Sequence, residues 1–393
     1  MNDLAQRGFY RARRLQGLEL SEIVRISERA RELRAAGRDV ISLSTGEPDF
    51  PTPDFVIDAA MEAARRGETR YTPTAGTPAL REAIAKEHGR TPAEVIVSTG
   101  AKQVLASALL GTLDPGDEVV LPTPFWTSYA DMVRVAGGVP VLIPCDMGDG
   151  FKLTPERLEA AISSRTRWLM LNSPSNPSGA VYSRAQLAAL AEVLMRHPQV
   201  WVISDEIYSH LSFERFTSFA DAAPDLIGRT LVVSGVSKAW AMTGWRIGWG
   251  VGPEPLIRAM IAMQGQSTSG ASSVGQAAAL AALTGDRTFL AERRSAFEER
   301  RDMVVTALNA MPGIDCPTPE GAFYAFPSCA AHLGEGFSDG DFCARLLDVA
   351  GVAVVPGRAF GLDGHFRLSF AYATNELTAA LKRLLAALEG GLR

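Results

Sequence analysis

The chain has 393 residues, of which 47% are hydrophobic and 21% charged, and its formal net charge is -5. Such a composition can bury a large core and excludes global disorder, and the length suits two or three domains or one large α/β unit with an appended lobe. Lys and Arg are scattered along the chain, which argues against a nucleic-acid partner. Residues 1–7 lack the apolar stretch of a signal peptide, and no run reaches the length of a membrane span, so a cytoplasmic protein without a membrane partner is expected. Cys145, Cys316, Cys329 and Cys343 show no CxxC spacing and the five histidines no HExxH pattern. No metal site and no disulfide framework is therefore expected.

Residues 18–38 carry Ile23, Ile26, Ala30 and Leu33 at helical spacing, which predicts an amphipathic helix ending at Gly37. A short strand over 40–43 leads into a loop rich in Gly and Pro, Thr45-Gly46-Glu47-Pro48-Asp49-Phe50-Pro51-Thr52-Pro53. Such a loop is either a linker or a rigid support that holds backbone against a ligand. A second loop over 70–76 contains Tyr71 and precedes a helix over 78–88; on residue type alone Tyr71 reads as a packing or interface residue. From residue 94 a strand–turn–helix rhythm begins, with apolar strands over 94–98, 117–121, 139–143, 167–171, 200–204 and 230–233, and another at 249–252. The turn Thr99-Gly100-Ala101-Lys102-Gln103 opens a helix, and free N–H groups at such a start favour an anion.

This alternation predicts an α/β fold, with a mostly parallel sheet flanked by helices in a large domain. Ligands bind outside the carboxyl ends of such strands. Gly100, Trp126, Asn176, Asp205, Tyr208 and Lys238 all follow strand ends and are expected to converge on one crevice. Helices over 254–264, 271–284 and 286–311, strands over 321–326, 352–357 and 365–370, and a last helix over 375–389 predict a smaller α+β domain. The expected division is an N-terminal segment, 1–45, packing with the small domain, a large ligand-binding domain, 46–285, and a small C-terminal domain, 286–393.

Lys238 stands out. It follows the apolar run 230–233 through Ser234-Gly235-Val236-Ser237, and a Gly/Trp-rich turn with a second cation, Arg246, comes after it. Desolvation and a neighbouring cation both lower a lysine pKa, and the neutral amine forms Schiff bases. The bland alternative is an ordinary lysine at a strand end.

Five motifs occur in order: Gly46-Glu47-Pro48-Asp49-Phe50, Asn172-Ser173-Pro174-Ser175-Asn176-Pro177, Ser204-Asp205-Glu206-Ile207-Tyr208, Ser237-Lys238 through Gly244-Trp245-Arg246-Ile247-Gly248, and Arg367-Leu368-Ser369. Together they resemble the class I, aspartate aminotransferase-like family of pyridoxal-phosphate enzymes of fold type I, from about residue 18 to the C-terminus. The resemblance implies pyridoxal 5′-phosphate bound to Lys238, with Asp205 against its pyridine nitrogen, Tyr208 and Asn176 donating to its ring oxygen and Trp126 stacked on the ring. Its phosphate would take Gly100, Ala101, Lys102, Ser237 and Arg246, with Tyr71 reaching in from the other subunit of a homodimer. Lys238, Asp205 and Tyr208 would be the catalytic residues. Arg367 would clamp the substrate α-carboxylate through its planar fork, and Gly46, Trp126 and Asn176 would complete the substrate site.

Two positions depart from the pattern. Gly235 stands three residues before the lysine, where many relatives carry a phosphate-binding serine, so Ser234 or Ser237 is left to compensate. Glu19 stands where relatives that use prephenate carry a basic residue. Glu19 would repel a distal carboxylate, whereas Lys102 would neutralise one, so these two leave the substrate open. The expected function is transamination between an L-amino acid and a 2-oxo acid, with aspartate and 2-oxoglutarate as the favoured pair. An aromatic or other neutral amino acid is the alternative, consistent with Glu19, Phe323 and Tyr324. A β-lyase or decarboxylase would share Lys238 and Asp205. A transcription regulator built on the same fold would need a DNA-binding domain, and about seventeen residues before the first helix are too few. No GxGxxG follows the first strand, which disfavours a nicotinamide enzyme.

Overall fold

The computed structural model describes residues 10–391; residues 1–7, considered above for a signal peptide, lie outside them. The strands are β1 (Ile41–Ser42), β2 (Val95–Ser98), β3 (Glu118–Thr123), β4 (Val139–Pro144), β5 (Thr166–Asn172), β6 (Trp201–Asp205), β7 (Thr230–Gly235), β8 (Gly248–Val251), β9 (Tyr324–Ala325), β10 (Val352–Ala353), β11 (Val355–Pro356) and β12 (Phe366–Ser369). Seven of them form the main sheet, in the order β2-β8-β7-β6-β5-β3-β4. The pairs β4–β3, β3–β5, β5–β6 and β6–β7 are parallel, and β8 runs antiparallel to both β7 and β2. The central strands are apolar almost throughout because helices cover both faces; β2, β7 and β8 are buried at every residue.

This topology brings distant residues to one edge. The carboxyl ends of β2, β3, β5, β6 and β7 all point the same way, and the antiparallel β8 begins at that same edge. The helix Ala101–Leu110 follows β2 and lies tight on β8: a Cβ on Gly248 would sit 2.3 Å from the Ala101 nitrogen, and one on Gly250 would sit 2.7 Å from Val104 Cγ1. Two glycines thus let the helix start descend onto the sheet at the crevice.

The C-terminal part packs into a core that also takes in Leu43, Tyr208 and Leu211 from earlier in the chain. Phe297, Val304, Leu308, Phe342, Leu346, Leu377, Leu381 and Leu384 pack from the helices Phe289–Asn309, Asp339–Ala350 and Thr374–Glu389 around the small sheet β11-β12-β9. β1 joins this part by pairing with β10 in parallel. Several expected elements come out shorter, and for three of them the cause is visible. The first helix spans Glu22–Ala35, because Ser21 accepts a hydrogen bond from Val24 N and caps it inside the expected range. Only Tyr324–Ala325 of 321–326 is strand, since Ala322 has φ 58°, which breaks extended backbone. The expected strand over 352–357 divides into β10 and β11, which pair with different partners, β1 and β12. Among the described residues, no helix is long and apolar enough to cross a membrane.

Candidate active site

A cavity of about 550 Å³ opens where the strand ends meet, lined by Gly46, Ala101, Lys102, Trp126, Asn176, Asp205, Tyr208, Ser237, Lys238, Arg246 and Arg367, among others. Lys238 emerges three residues beyond the end of β7. Its Nζ donates to the Gly46 carbonyl at 2.7 Å. Burial pushes the amine down to about 8, and Arg367 and Arg246 add to that effect against the opposing pull of Glu47 and Asp205. Gly46 can reach Lys238 because it has no side chain: a Cβ there would stand 2.2 Å from Tyr324 Oη.

Asp205, the last residue of β6, is buried, and desolvation raises its carboxyl to about 6. Tyr129 Oη donates to its Oδ2 at 2.6 Å and Ile207 N to its Oδ1 at 3.2 Å. The buried Tyr208 shares a hydrogen bond with Tyr324, Oη to Oη at 3.0 Å. Trp126 presents its ring to the cavity, with Lys102 Nζ 4.6 Å from the ring centroid. Burial and the nearby Arg246 both lower the Lys102 amine.

At one end of the cavity, Gly100 takes φ +83° and starts the helix Ala101–Leu110, whose N-terminus is capped by no side chain of the described residues. A Cβ at Gly100 would lie 2.5 Å from Arg246 Nη2, so the glycine lets this guanidinium close on the helix start. Arg246 itself is held in left-handed backbone at φ 57°, an uncommon conformation for a side chain of its size. Of the two candidate serines, Ser237 lines the cavity, whereas Ser234 belongs to β7 and does not. The departure at Gly235 has a steric cause: a Cβ there would meet the Ile247 carbonyl oxygen at 2.9 Å and Gly248 Cα at 3.0 Å.

At the other end stands Arg367, 1% exposed. Its Nη1 donates to Asn176 Oδ1 at 2.9 Å and its Nη2 to the Ser44 carbonyl at 2.5 Å, and its buried Nε has no hydrogen-bond partner among the described residues. The rings of Tyr324 and Phe360 flank it, with centroids at 4.5 and 5.0 Å. Asn176 is held in turn by Asn172, whose Oδ1 accepts from Asn176 N at 2.8 Å while its Nδ2 donates to the Asp205 carbonyl at 2.9 Å.

The charge balance is the central property of this cavity. Lys102, Lys238, Arg246 and Arg367 face it against two carboxylates, Glu47 and Asp205. Among the described residues none of the four cations is within ion-pair distance of a carboxylate. A buried guanidinium without a counter-ion is costly. In a chain of net negative charge, this concentration makes a site built for anions.

Tyr71 is not part of this cavity in its own chain; it stands 97% exposed. The segment after it is nevertheless firmly held by two fully buried amides. Gln276 accepts from Thr77 N at 2.7 Å and donates to Thr72 Oγ1 at 3.1 Å and the Ala271 carbonyl at 2.9 Å, while Gln264 donates to the carbonyls of Thr74 and Val97 at 2.6 and 2.8 Å. Glu19 lies outside the main cavity, on a neighbouring hollow that it shares with Lys102, and its carboxylate is 3.7 Å from Arg25. Phe323 is buried against Tyr208 and Phe297 and does not line the cavity, whereas Tyr324 does. Sequence reasoning missed Tyr129 and Ser44 as parts of the site, and it quoted Asn172 within a motif without giving it a role; Tyr324, expected near the pocket, does line it. The one signal for Tyr129 was its spacing three residues after Trp126, which places both on one side of a helical turn.

The family described as aminotransferase class I and II matches residues 38–384. An aspartate aminotransferase of Rhizobium meliloti (strain 1021) is 52% identical, over 97% of this chain and 96% of its own. An aspartate/prephenate aminotransferase of Cereibacter sphaeroides is also 52% identical, over 93% of this chain and 95% of its own. The crystal structure of the aspartate aminotransferase from Rhizobium meliloti superposes with a TM-score of 0.94 at 51% identity, covering 97% of this chain and 99% of that one.

Proposed function

This chain belongs to the class I and II aminotransferases, and on that premise we propose that it exchanges the amino group of L-aspartate with 2-oxoglutarate, using pyridoxal 5′-phosphate. The observation that carries the reading is the set of cations beside the reactive Lys238, namely Lys102, Arg246 and Arg367, none of them ion-paired among the described residues, which matches a cofactor phosphate and the carboxylates of a dicarboxylic substrate. The donor set fits the cofactor at each end. The uncapped helix start at Ala101 and Lys102, the Ser237 hydroxyl and Arg246 would hold the phosphate. Asp205 offers a buried carboxylate to a cationic ring nitrogen, Trp126 a flat face to the ring, and Lys238 an amine for covalent attachment. When bound, this cofactor supplies an electron sink that acidifies the substrate α-hydrogen.

The chain's own residues do the rest. With the cofactor bound, Lys238 Nζ would take the proton from the substrate α-carbon and pass it on to the cofactor side of the transferred nitrogen, a role suited to an amine lowered to about 8. Asp205 holds positive charge at the ring nitrogen. Asn176 has its Oδ1 committed to Arg367, which leaves its Nδ2 as the donor to the cofactor ring oxygen, alongside Tyr208. Arg367 receives the substrate α-carboxylate. Its flat fork is already oriented by Asn176 and Ser44, so little side-chain entropy is lost on binding.

For the distal carboxylate, Lys102 and Glu19 do not weigh equally. Lys102 lines the cavity, while Glu19 lies outside it, exposed and facing Arg25. This balance favours a dicarboxylic substrate. We further propose a cytoplasmic homodimer in which Tyr71 completes the partner's phosphate site, each chain divided into an N-terminal segment, 1–45, that packs with the small domain 286–393, and a ligand-binding domain, 46–285. The test is product analysis. L-aspartate and 2-oxoglutarate should yield oxaloacetate and glutamate in equal amounts; release of ammonia or carbon dioxide instead would contradict the reading and indicate a lyase or decarboxylase.

A further inference from the structure

Asp205 is a buried carboxylate without an ion-pair partner among the described residues. Its hydrogen bonds come from one backbone amide, Ile207 N at 3.2 Å, and one side chain, Tyr129 Oη at 2.6 Å. The phenol bond is the shorter by far, and it is shielded from water, because Tyr129 is only 2% exposed. Tyr129 is fixed in turn: its ring meets that of Trp126 edge-on, centroids 5.5 Å apart at 89°. Trp126, Tyr129 and Asp205 all line the same cavity. Burial and the adjoining carboxylate hold the phenol well above its ordinary pKa, so Tyr129 remains a proton donor in this bond. Burial also drives Asp205 towards its protonated form, and the Tyr129 bond is the largest influence opposing that.

We propose that Tyr129 is a positioning residue that holds Asp205 as an oriented carboxylate, so that the cavity presents a fixed negative charge to the ring nitrogen of the cofactor. The inference rests on the cofactor reading above. The alternative is that Tyr129 only fills space in the core next to β6, its hydroxyl being incidentally satisfied. Removing the hydroxyl while keeping the ring separates the two. Tyr129→Phe leaves the packing against Trp126 in place and takes one charge-assisted bond from Asp205.

The experiment measures binding of cofactor-free protein to two ligands: pyridoxal 5′-phosphate, and the analogue in which the ring nitrogen is replaced by C–H. Both keep the aldehyde and the phosphate, so only one engages Asp205. The unsubstituted protein is expected to prefer the natural cofactor. Tyr129→Phe is expected to lose affinity for it by about 10- to 100-fold while changing affinity for the analogue less than about twofold, the size of one hydrogen bond to a charged group. In an Asp205→Asn background, the same substitution is expected to change neither affinity. An equal loss for both ligands, or no loss for either, would overturn the positioning role. A further loss of cofactor affinity in the Asp205→Asn background would overturn it as well, and this comparison does not depend on how stable the single variant is. If the unsubstituted protein shows no preference between the two ligands, the fault lies with the role given to Asp205, and the inference falls with it.

Discussion

Lys238 and Arg367 are both cations kept from water, yet they face opposite demands. Lys238 must lose its charge to act as nucleophile and base; burial and two neighbouring guanidinium groups bring it to about 8. Arg367 must keep its charge, and its surroundings are aromatic rings and neutral acceptors with no carboxylate. A pH dependence follows from the first. Only the neutral amine attacks an aldehyde, so capture of pyridoxal by the cofactor-free protein should speed up about tenfold per pH unit below pH 8 and level off above it. Acceleration continuing past pH 10 would show an ordinary, solvated lysine. A substitution follows from the second. Arg367→Lys keeps the charge but not the planar fork, and KM for both the amino acid and the 2-oxo acid should rise by about 10- to 100-fold. If KM stays at its original value for either substrate, Arg367 does not bind the α-carboxylate. Lys238 was legible in the sequence because an apolar run ends just before it. Tyr129 was much less so: its spacing from Trp126 is a faint sign of a place near the site, but its partner Asp205 lies 76 positions away and nothing local marks that contact.

At the scale of elements, the carboxyl ends of five sheet strands deliver one or two functional residues each, and loops then hold those residues in place. This much was readable from alternation of apolar runs and turns. What could not be read was how the loops are fastened. The segment 72–77 is held by Gln264 and Gln276, from helices some 190 to 200 positions further along the chain. Both amides are fully buried, and in a sequence such glutamines look like polar interruptions of apolar helices. Gln276→Met keeps the length but removes three hydrogen bonds, leaving Thr77 N and the Ala271 carbonyl without this partner. It should lower stability by about 2–4 kcal/mol, measured by urea unfolding. A loss below about 0.5 kcal/mol would mean that the segment is secured by other contacts. The small sheet was overestimated in the sequence for a related reason: the left-handed Ala322 and the shared run 352–356 show no break in apolar character.

At the scale of the whole molecule, the proposed sharing of sites between two copies makes its own prediction. If each site takes Lys238 from one subunit and Tyr71 from its partner, a Lys238→Ala chain and a Tyr71→Ala chain can restore one site between them. Random pairing of equal amounts makes half of the dimers mixed, so about a quarter of all sites should regain full cofactor affinity and activity. Activity equal to the plain average of the two parents would place Tyr71 in its own subunit's site or in none. On residue type alone Tyr71 reads as a packing or interface residue, and its expected place at a partner's phosphate comes from the family resemblance, because a single chain contains no second subunit against which to read it. The central claim, that Lys238 binds the cofactor in a site serving amino-group transfer from aspartate, is tested most directly by the visible absorption of the protein loaded with pyridoxal 5′-phosphate. The loaded protein should show a visible band absent from Lys238→Ala, which L-aspartate bleaches without any 2-oxo acid present and 2-oxoglutarate then restores. A band that persists in Lys238→Ala, or that L-aspartate leaves unchanged, would contradict the claim.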